Sequence, residues 1–587
     1  MYKNINKEIA DTFRKMASIY EFLDEKFRAV AYQRAANIIE DLPDDIRHYL
    51  ESGQLSKIRG IGKSTASKIE EYLKTGKISR YEELKKIIPE DFIELVDLPG
   101  IGPKTLKKVH DELGISTKEE LIKALKDGRI QSLSGFGAKK VENMLKALQM
   151  YEISKRRIVL WEALQLAKYI VNKLKKLKEV KKIEVAGSLR RRKETIGDID
   201  LLIASDDKDR TKIMDYFANL EEVKEILGKG EKKTSVIMNL EGKERQVDLR
   251  VFKEEEWGAA LQYFTGSKQH NVHIREIAKD KGLKINEYGV FDIKTGKKIA
   301  GRTEEEVYNT IGMDWIPPEM REDRGEIELA LEHRLPKLVE LKDIKGDLHI
   351  HSVWTDGAYS IEEIVNHVKK HYKYEYIAIT DHSKAVRVAH GLDEEKLLQE
   401  IEQIEKLNKM LGFDFVKKGI EVDILYDGSL DLSDEVLSKL DWVIASIHSY
   451  LNQDNTERIV KAMENPYVTV IGHPTGRIIG QREPYPLDMD IIMKVARETG
   501  TALEVNAQPF RMDLNDIWIK RAVDENVMLV INSDSHNLRQ FAYMEIGVSQ
   551  ARRGWATKEN ILNTKSWEEV QKFVNAKRKK LGARLKR

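Results

Sequence analysis

Two aspartates, Asp198 and Asp200, lie one residue apart on a short apolar run that follows the turn Gly187-Ser188. Because side chains alternate along a strand, both carboxylates are expected on the same face of that strand. Carboxylates this close repel each other unless a cation lies between them. Hard oxygen ligands beside a Gly-Ser turn suit Mg²⁺ and a nucleoside triphosphate. The stretch therefore predicts that a metal-bound nucleotide is transferred to an acceptor.

A third carboxylate, Asp248, lies in another apolar run, Val247-Asp248-Leu249. If that run forms a strand beside the first, three carboxylates meet and can hold two Mg²⁺ ions. Two such ions activate a primer 3′-hydroxyl and steady the triphosphate that it attacks. The alternative is a solvated strand that carries an unrelated aspartate.

Histidines form the second chemical pattern, since nine of the fourteen lie from residue 349 onward. Most of them, with several carboxylates, follow short apolar runs that alternate with helical patterns, which indicates repeated β/α units. In a β/α barrel the ends of such runs meet on one face. Imidazole mixed with carboxylate suits Zn²⁺, Mn²⁺ or Fe²⁺ better than Mg²⁺, and so many ligands predict a cluster of two or three ions.

The elements around these residues include a turn, apolar-x-Gly-apolar-Gly, that occurs three times and is followed each time by lysine. The copies are Gly60-Ile61-Gly62 before Lys63, Gly100-Ile101-Gly102 before Lys104, and Gly135-Phe136-Gly137 before Lys139. The pattern resembles the helix-hairpin-helix motif. Its glycines let the backbone approach a phosphate, and the next helix offers free N–H groups. Three copies predict that the chain holds a DNA duplex without reading its sequence.

Composition limits the protein class. The chain has 587 residues, which predicts three or four domains, and its net charge of +2 leaves DNA binding to local basic patches. It has no cysteine, as is common in the cytosol. No run approaches the ~20 apolar residues of a membrane span, and the N-terminus has no apolar signal region. A cytoplasmic protein without a membrane partner is expected.

A block of aromatic and polar residues follows the third aspartate: Tyr263-Phe264-Thr265-Gly266-Ser267, then Asn271 and Arg275. With the three aspartates, this block resembles the family X DNA polymerases, the family of DNA polymerase beta, in order and spacing. The resemblance implies that Asp198 and Asp200 bind both of two Mg²⁺ or Mn²⁺ ions. It also implies that Asp248 binds the catalytic ion and orients the primer hydroxyl.

The same resemblance implies a dNTP site made by Gly187, Ser188, Arg191, Gly197, Tyr263, Phe264, Gly266, Asn271 and Arg275. Ser188 and Arg191 would hold the β- and γ-phosphates, and Tyr263 and Phe264 would flank the sugar. Asn271 would contact the edge of the incoming base, and Arg275 the template strand. Two positions depart from the family pattern. His270 replaces an aromatic residue, which puts base stacking in doubt, and Gln246 replaces a basic residue.

The N-terminal region resembles the lyase-like domain of the same family. Lys68 lies where some members carry a Schiff-base lysine that removes 5′-deoxyribose phosphate, and Arg28 would belong to a 5′-phosphate pocket. The alternative role for Lys68 is contact with the DNA backbone, which Ser64, at a usually basic position, favours. The expected DNA contacts are Arg28, Tyr32, Gly60, Gly62, Lys63, Lys68, Gly100, Gly102, Lys104, Gly135, Gly137 and Lys139.

The histidine-rich region resembles the PHP (polymerase and histidinol phosphatase) domain, a barrel of seven β/α units. The resemblance implies metal binding by His349, His351, Asp356, His382, Glu421, His448, His473, Asp534 and His536. All nine positions are filled, so an active phosphoesterase site is predicted.

The predicted fold is multidomain, α+β and α/β, and its parts follow one another along the chain. They are a lyase-like helical domain at 1–80, tandem helix-hairpin-helices at 81–152, a nucleotidyltransferase palm at 153–256, a thumb/fingers subdomain at 257–318, a helix and linker at 319–345, a PHP barrel at 346–575 and a basic tail at 576–587.

Together these features predict a monomeric polymerase that fills short gaps in base excision repair, using dNTPs on gapped or primer-template DNA. Its barrel would act as a 3′→5′ exonuclease, with cleavage at abasic sites or removal of 3′-phosphates as further possible activities. One alternative is a protein that binds DNA ends and carries a small-molecule phosphatase barrel. Another is an untemplated nucleotidyltransferase, because the Gly-Ser and Asp-x-Asp pattern is shared by such enzymes.

Overall fold

The computed structural model describes residues 5–41, 46–51, 53–55, 58, 61–85, 88, 90–95, 98, 100–240 and 243–585. It divides into two compact units, Met1–Arg156 with Ile478–Glu483, and Arg157–Arg477 with Pro484–Arg587. Over these described ranges, every helix is too short or too polar to cross a membrane.

Helices make up the described part of the first unit. They are α1 (Ile5–Phe22), α2 (Lys26–Asp41), α3 (Ile46–Glu51), α4 (Lys63–Thr75), α5 (Ser79–Leu84), α6 (Glu90–Leu95), α7 (Pro103–Leu113), α8 (Lys118–Lys126) and α9 (Ala138–Arg156). One hydrophobic core runs from Ile9 to Leu148, so the two predicted N-terminal domains share a core. Gly100 and Gly135 have φ of 77° and 85°, which only glycine adopts without strain, and this explains the glycines of the hairpins.

The second unit begins with the palm, a five-stranded sheet of order β2-β4-β7-β6-β5 beside the short pair β1-β3. Its elements are β1 (Ile158–Val159), α10 (Leu160–Leu174), β2 (Lys182–Val185), α11 (Gly187–Arg190), β3 (Thr195–Ile196), β4 (Ile199–Ala204), α12 (Arg210–Ala218), β5 (Val223–Lys229), β6 (Lys233–Leu240) and β7 (Lys243–Phe252). The neighbours β4 and β7 are parallel, and Asp200 is the direct partner of Asp248. This register is what brings the predicted carboxylates together.

The thumb follows with a three-stranded sheet of order β10-β9-β8 against helices. Its elements are α13 (Trp257–Thr265), α14 (Lys268–Asp280), β8 (Leu283–Asn286), β9 (Gly289–Asp292), β10 (Lys298–Ala300) and α15 (Glu304–Thr310). Ser267 caps α14, because its hydroxyl accepts a hydrogen bond from the backbone N–H of His270 at 3.2 Å.

The stretch 319–345, predicted as a helix and linker, contains α16 (Glu326–Leu331) and is packed against its surroundings. Arg321 is fully buried and pairs with Glu304 at 2.7 Å. Near the end of the stretch, the backbone N–H of Val339 donates to the carbonyl of Ala556 at 2.9 Å. Several of its charged residues pair with partners distant along the chain, as Glu319 does with Arg552 and Arg324 with Asp516.

The barrel has seven parallel strands in chain order, β11 to β17. Its elements are β11 (Gly346–Asp347), α17 (Ile361–His371), β12 (Tyr376–Ile379), α18 (Glu394–Leu411), β13 (Val416–Asp423), α19 (Asp434–Leu437), β14 (Trp442–Ser446), α20 (Thr456–Glu464), β15 (Val470–Ile471), α21 (Met489–Thr499), β16 (Ala502–Asn506), α22 (Asp516–Asp524), β17 (Leu529–Asn532), α23 (Met544–Arg553) and α24 (Trp567–Leu585). A parallel bridge between Ile350 and Ser535 joins the first and last segments.

The segment predicted as a basic tail lies largely within α24. Lys577 is 3% exposed and donates a hydrogen bond to the hydroxyl of Thr501 at 2.5 Å. This part of the chain therefore covers the barrel and is not a solvated end.

Candidate active sites

The palm carboxylates lie where the inner strands β4 and β7 run side by side. Asp200 accepts from Arg250 at 2.8 Å, and Lys233 reaches Asp248 at 2.6 Å. A Cβ added to Gly187 would lie 2.5 Å from a carboxylate oxygen of Asp200, so the turn needs glycine there. The pattern of turn and carboxylates in the sequence is thus one packed unit.

The pKa shifts of the palm carboxylates fit a bound cation. Burial and the charge of Asp198 raise the pKa of Asp200, against the lowering effect of Arg250. Burial also acts to raise the pKa of Asp248, but hydrogen bonds from Lys233 and Gln246 hold it below its usual range. A divalent ion between these carboxylates would relieve their repulsion more directly than the flexible cationic side chains do.

The arginines that follow Gly187-Ser188, the turn predicted to hold the triphosphate, bind residues in or next to the thumb. The Nε of Arg191 lies 3.1 Å from a carboxylate oxygen of Glu322, and its guanidinium also donates to the carbonyl of Thr265. Arg190 forms a bidentate pair with Glu304, at 2.8 Å for both bonds. Gly187 and Ser188 open the short helix α11 beside these arginines. Gly197 lies between β3 and β4, and a Cβ added to it would lie 3.2 Å from the guanidinium of Arg157.

The residues expected around the sugar and base lie on α13 and α14. The rings of Tyr263 and Phe264 are 5.1 Å apart and edge to face. Gly266, at the end of α13, has φ of 70°. The amide of Asn271 donates to the carbonyl of Tyr263 at 2.7 Å, whereas the exposed Arg275 donates to the carbonyl of Asn271 at 2.9 Å. The structure thus brings these residues close together on α13 and α14, with Asn271 buried and Arg275 exposed.

The two departures from the family pattern have distinct environments. His270 is fully buried between Glu326 at 2.8 Å and Tyr308 at 2.9 Å, so its ring belongs to the thumb core and is not available to stack on a base. Gln246 donates to Asp248 at 3.1 Å. Lys233 and Arg250 supply cations beside these carboxylates. Lys233 was not singled out from the sequence because β6 approaches β7 only in the folded sheet, and Arg250, on β7 itself, was not singled out either.

In the barrel, Glu421 lies at the centre of the predicted ligands. Its carboxylate is 2.8 Å from the Nδ1 of His382, 3.1 Å from the Nε2 of His473 and 3.5 Å from the nearest nitrogens of His349 and His448. The remaining ligands are within 4 Å of one another or of Glu421: His351, Asp356, Asp534 and His536. All nine predicted residues meet on one face.

These side chains form three overlapping groups whose ligand atoms lie within 4.8 Å of one another. The groups are His351-Asp356-His382-His536, His349-His351-Glu421 and His382-Glu421-His448. Buried ring nitrogens of His349, His351 and His473 have no hydrogen-bond partner, although buried polar atoms normally have one. Burial and the charges of His536 and His382 lower the pKa of His351 to about 4, so its imidazole is neutral, as metal binding requires. The residues fit a cluster of ions.

Carboxylates behind the ligands were not singled out as site residues from the sequence. Glu504 lies 2.6 Å from the Nδ1 of His349, and Asp423 lies 2.8 Å from the Nδ1 of His448. Such partners orient an imidazole and raise its basicity toward a metal. Their positions inside or at the end of the same apolar runs were a usable signal, because alternate residues of a barrel strand face one interior.

Within the first unit, Lys68 lies close to Tyr32. The Nζ of Lys68 is 2.9 Å from the hydroxyl of Ser64 and 5.9 Å from the centre of the Tyr32 ring. Arg28 lies over the neighbouring ring of Tyr20 at 5.5 Å. Burial lowers the pKa of Lys68, which favours the neutral amine.

The hairpin lysines are solvent-exposed where the structure describes them. Lys63, Lys104 and Lys139 are exposed at or near the starts of α4, α7 and α9. The glycines Gly62, Gly102 and Gly137 directly precede those helices, whereas Gly60 lies outside the described residues. These positions agree with contact to a phosphate backbone.

Comparison with family models matches the chain part by part. Residues 4–78 match a helix-hairpin-helix domain, 92–150 a SAM-like helix-hairpin-helix tandem, 157–252 a DNA polymerase beta palm, 260–322 a DNA polymerase beta thumb and 347–508 a PHP domain. The predicted palm, thumb, hairpins and barrel are confirmed as fold types.

Individual relatives cover the chain to different extents. The "DNA polymerase/3'-5' exonuclease PolX" of Bacillus subtilis (strain 168) is 41% identical over 555 residues, which are 94% of this chain and 96% of that protein. A "Probable phosphatase" of Thermoanaerobacter sp. (strain X514) is 29% identical over 40% of this chain and 96% of its own length. DNA polymerase lambda of Arabidopsis thaliana is 25% identical over 54% of this chain and 62% of its length. With hairpins, palm, thumb and barrel all matched, the chain belongs to the family X DNA polymerases that carry a C-terminal PHP domain.

Proposed function

We propose that this chain is a DNA-directed DNA polymerase that fills short gaps in DNA repair and trims 3′ ends with its barrel. The observation that carries the proposal is that one chain holds two separate groups of closely spaced side chains that could hold metal ions, the palm aspartates and the nine barrel residues. The first relative, whose printed name is DNA polymerase/3'-5' exonuclease, spans nearly all of both chains. The protein would act as a monomer, and its hairpins would hold gapped or primer-template DNA.

At the palm, Asp198, Asp200 and Asp248 would hold two Mg²⁺ or Mn²⁺ ions, which activate the primer hydroxyl and neutralise triphosphate charge when bound. Asp248 orients the 3′-hydroxyl, and Ser188 hydrogen-bonds the phosphates. Arg191 exchanges its thumb partners Glu322 and the Thr265 carbonyl for phosphate oxygens. Tyr263 and Phe264 flank the sugar from α13, while Arg275 faces the template strand.

At the barrel, the nine residues would hold two or three ions of Mn²⁺, Zn²⁺ or Fe²⁺, which would supply Lewis-acid activation of water and of the phosphoester for hydrolysis. Glu421 bridges the groups, since five histidines approach its two oxygens. Glu504 and Asp423 fix the orientation of two of these imidazoles. Abasic-site cleavage and removal of 3′-phosphates would use the same chemistry.

The two activities separate by substitution. With a gapped primer-template, dNTPs and Mg²⁺ or Mn²⁺, we expect Asp248→Ala to lose extension and keep 3′ degradation. We expect His349→Ala to do the reverse, because each change removes a ligand from one site only. Extension and degradation are followed on the same labelled primer. If extension ignores the template base, the polymerase is an untemplated transferase.

A small-molecule phosphatase is the second candidate for the barrel, favoured by the 29% identity to the "Probable phosphatase" over this region. The same His349→Ala variant decides between the two. Loss of phosphomonoester hydrolysis with unchanged 3′ degradation would contradict the exonuclease proposal. A shared site is indicated if the wild type hydrolyses small phosphomonoesters and DNA 3′ ends at comparable initial rates and His349→Ala then loses 3′ degradation.

A further inference from the structure

Two exposed tyrosines, Tyr426 and Tyr450, lie side by side on loops of the barrel. The two residues are 61% and 59% exposed, and their ring centroids are 5.0 Å apart, with the ring planes edge to face at 62°. Tyr426 follows β13 and Tyr450 follows β14, so both loops leave the carboxyl ends of adjacent parallel strands. That end of a β/α barrel is where the metal ligands lie.

The two loops are held together from beneath by Arg458, which is only 5% exposed. Its guanidinium donates to the carbonyls of Ile424 and Leu425 on the first loop, the latter at 3.0 Å, and to the carbonyl of Ser449 on the second loop at 3.0 Å. It also lies 5.8 Å from the centre of the Tyr450 ring. A buried charge with these partners gives the tyrosines a fixed base, unlike aromatic residues on a free loop.

The backbone at Tyr450 is in the left-handed region, with φ of 57°, which is uncommon for a bulky side chain. Residues held in this region cluster at functional sites. Tyr450 is two residues after the ligand His448, and Tyr426 is three residues after Asp423, the hydrogen-bond partner of His448. Two residues span at most about 7 Å between Cα atoms, so the backbone of Tyr450 lies within about 7 Å of that of the candidate ligand His448.

We propose that Tyr426 and Tyr450 form a stacking step for the unpaired bases that precede the terminal nucleotide of a DNA 3′ end. The inference rests on the 3′→5′ exonuclease activity proposed above and names how that site holds its substrate. Every base has a π-face, so exposed aromatic rings bind single strands without reading sequence. Paired bases are already stacked in a duplex, so the step selects frayed or mismatched ends.

The test measures degradation of single-stranded oligodeoxynucleotides by the full-length, metal-loaded protein. Base–aromatic stacking is worth ~1–3 kcal/mol per base, so we expect the double variant Tyr426→Ala/Tyr450→Ala to raise KM at least about tenfold. We expect kcat to change less than about twofold, because the metal ligands are untouched. Hydrolysis of thymidine 5′-monophosphate p-nitrophenyl ester, which has no preceding base, should be unchanged. The Tyr→Phe double variant keeps both rings and should restore KM.

The substrate supplies a second arm. An oligonucleotide with abasic residues at the two positions before the terminal nucleotide should raise KM for the wild type, and the alanine variant should lose nothing more. Phe413→Ala is the matched control, because Phe413 is 50% exposed at the opposite end of the barrel, before β13. It should leave KM unchanged.

Two results would overturn the stacking step. One is an unchanged KM in the alanine double variant, and the other is an equal loss on normal and abasic oligonucleotides. A wild-type protein that degrades no 3′ end would instead overturn the exonuclease proposal itself, so the two failures are distinguishable.

Discussion

At the scale of the residue, the ε-amine of Lys68 is the group whose environment bears most directly on an open role. Burial lowers its pKa, so its neutral, nucleophilic form is reached at lower pH than for a solvated lysine. We expect borohydride to trap a covalent adduct with DNA that carries a 5′-deoxyribose phosphate, and Lys68→Ala to abolish it. Adduct formation is read on a denaturing gel from labelled DNA.

Lys63→Ala is the control for Lys68, because Lys63 is exposed at the start of the same helix. It should weaken DNA binding modestly and keep the adduct. Trapping that survives Lys68→Ala, or no trapping by the wild type, would leave Lys68 as a contact to the DNA backbone. The pH at which half the maximal trapping rate is reached should lie below that of a free lysine side chain.

At the scale of the element, sequence reasoning works where chemistry and periodicity coincide. That most of the nine candidate barrel ligands meet could be predicted because they follow short apolar runs, and parallel strands bring such ends together, whereas the full set of nine came from the resemblance to the PHP domain. Lys233 could not, since its role depends on β6 becoming the neighbour of β7. The sequence of 319–345 resembles a linker because its charged residues meet their partners only in the folded chain. Glu319, for example, pairs with Arg552 at 2.8 Å.

The buried ion pair between Arg321 of this stretch and Glu304 leads to a prediction about stability. Glu304 accepts from Arg190 and from the buried Arg321, and these arginines hold the pKa of Glu304 well below its usual range despite its burial. We expect Glu304→Ala to lower the free energy of unfolding by about 3–5 kcal/mol, because it leaves buried cations unpaired. Glu332→Ala breaks the exposed pair with Arg334 and should cost less than about 1 kcal/mol. Urea unfolding measures both; equal effects would contradict the prediction.

At the scale of the whole second unit, palm and barrel meet through paired charges. Arg477 binds Glu194 with bonds of 2.7 and 3.0 Å, and Gln550 donates to the same carboxylate at 2.7 Å. Arg553 donates to the carbonyl of Arg191 at 2.7 Å and pairs with Glu322. The turn that carries the residues proposed to bind phosphate in the palm is therefore in direct contact with the barrel.

The Glu194–Arg477 pair links that turn to a barrel ligand, because Arg477 is four residues after His473 and also donates to the carbonyl of Met512. Glu194→Ala leaves Arg477 largely buried without its carboxylate, so the loop after β15 should loosen. We expect faster hydrogen exchange in residues 473–477 and a severalfold loss of 3′ degradation, while primer extension falls less. The exchanged pair Glu194→Arg/Arg477→Glu should recover part of both losses, as a direct coupling requires. Unchanged exchange and degradation in Glu194→Ala would show that the barrel holds this loop by its own contacts, with the palm as a passive neighbour.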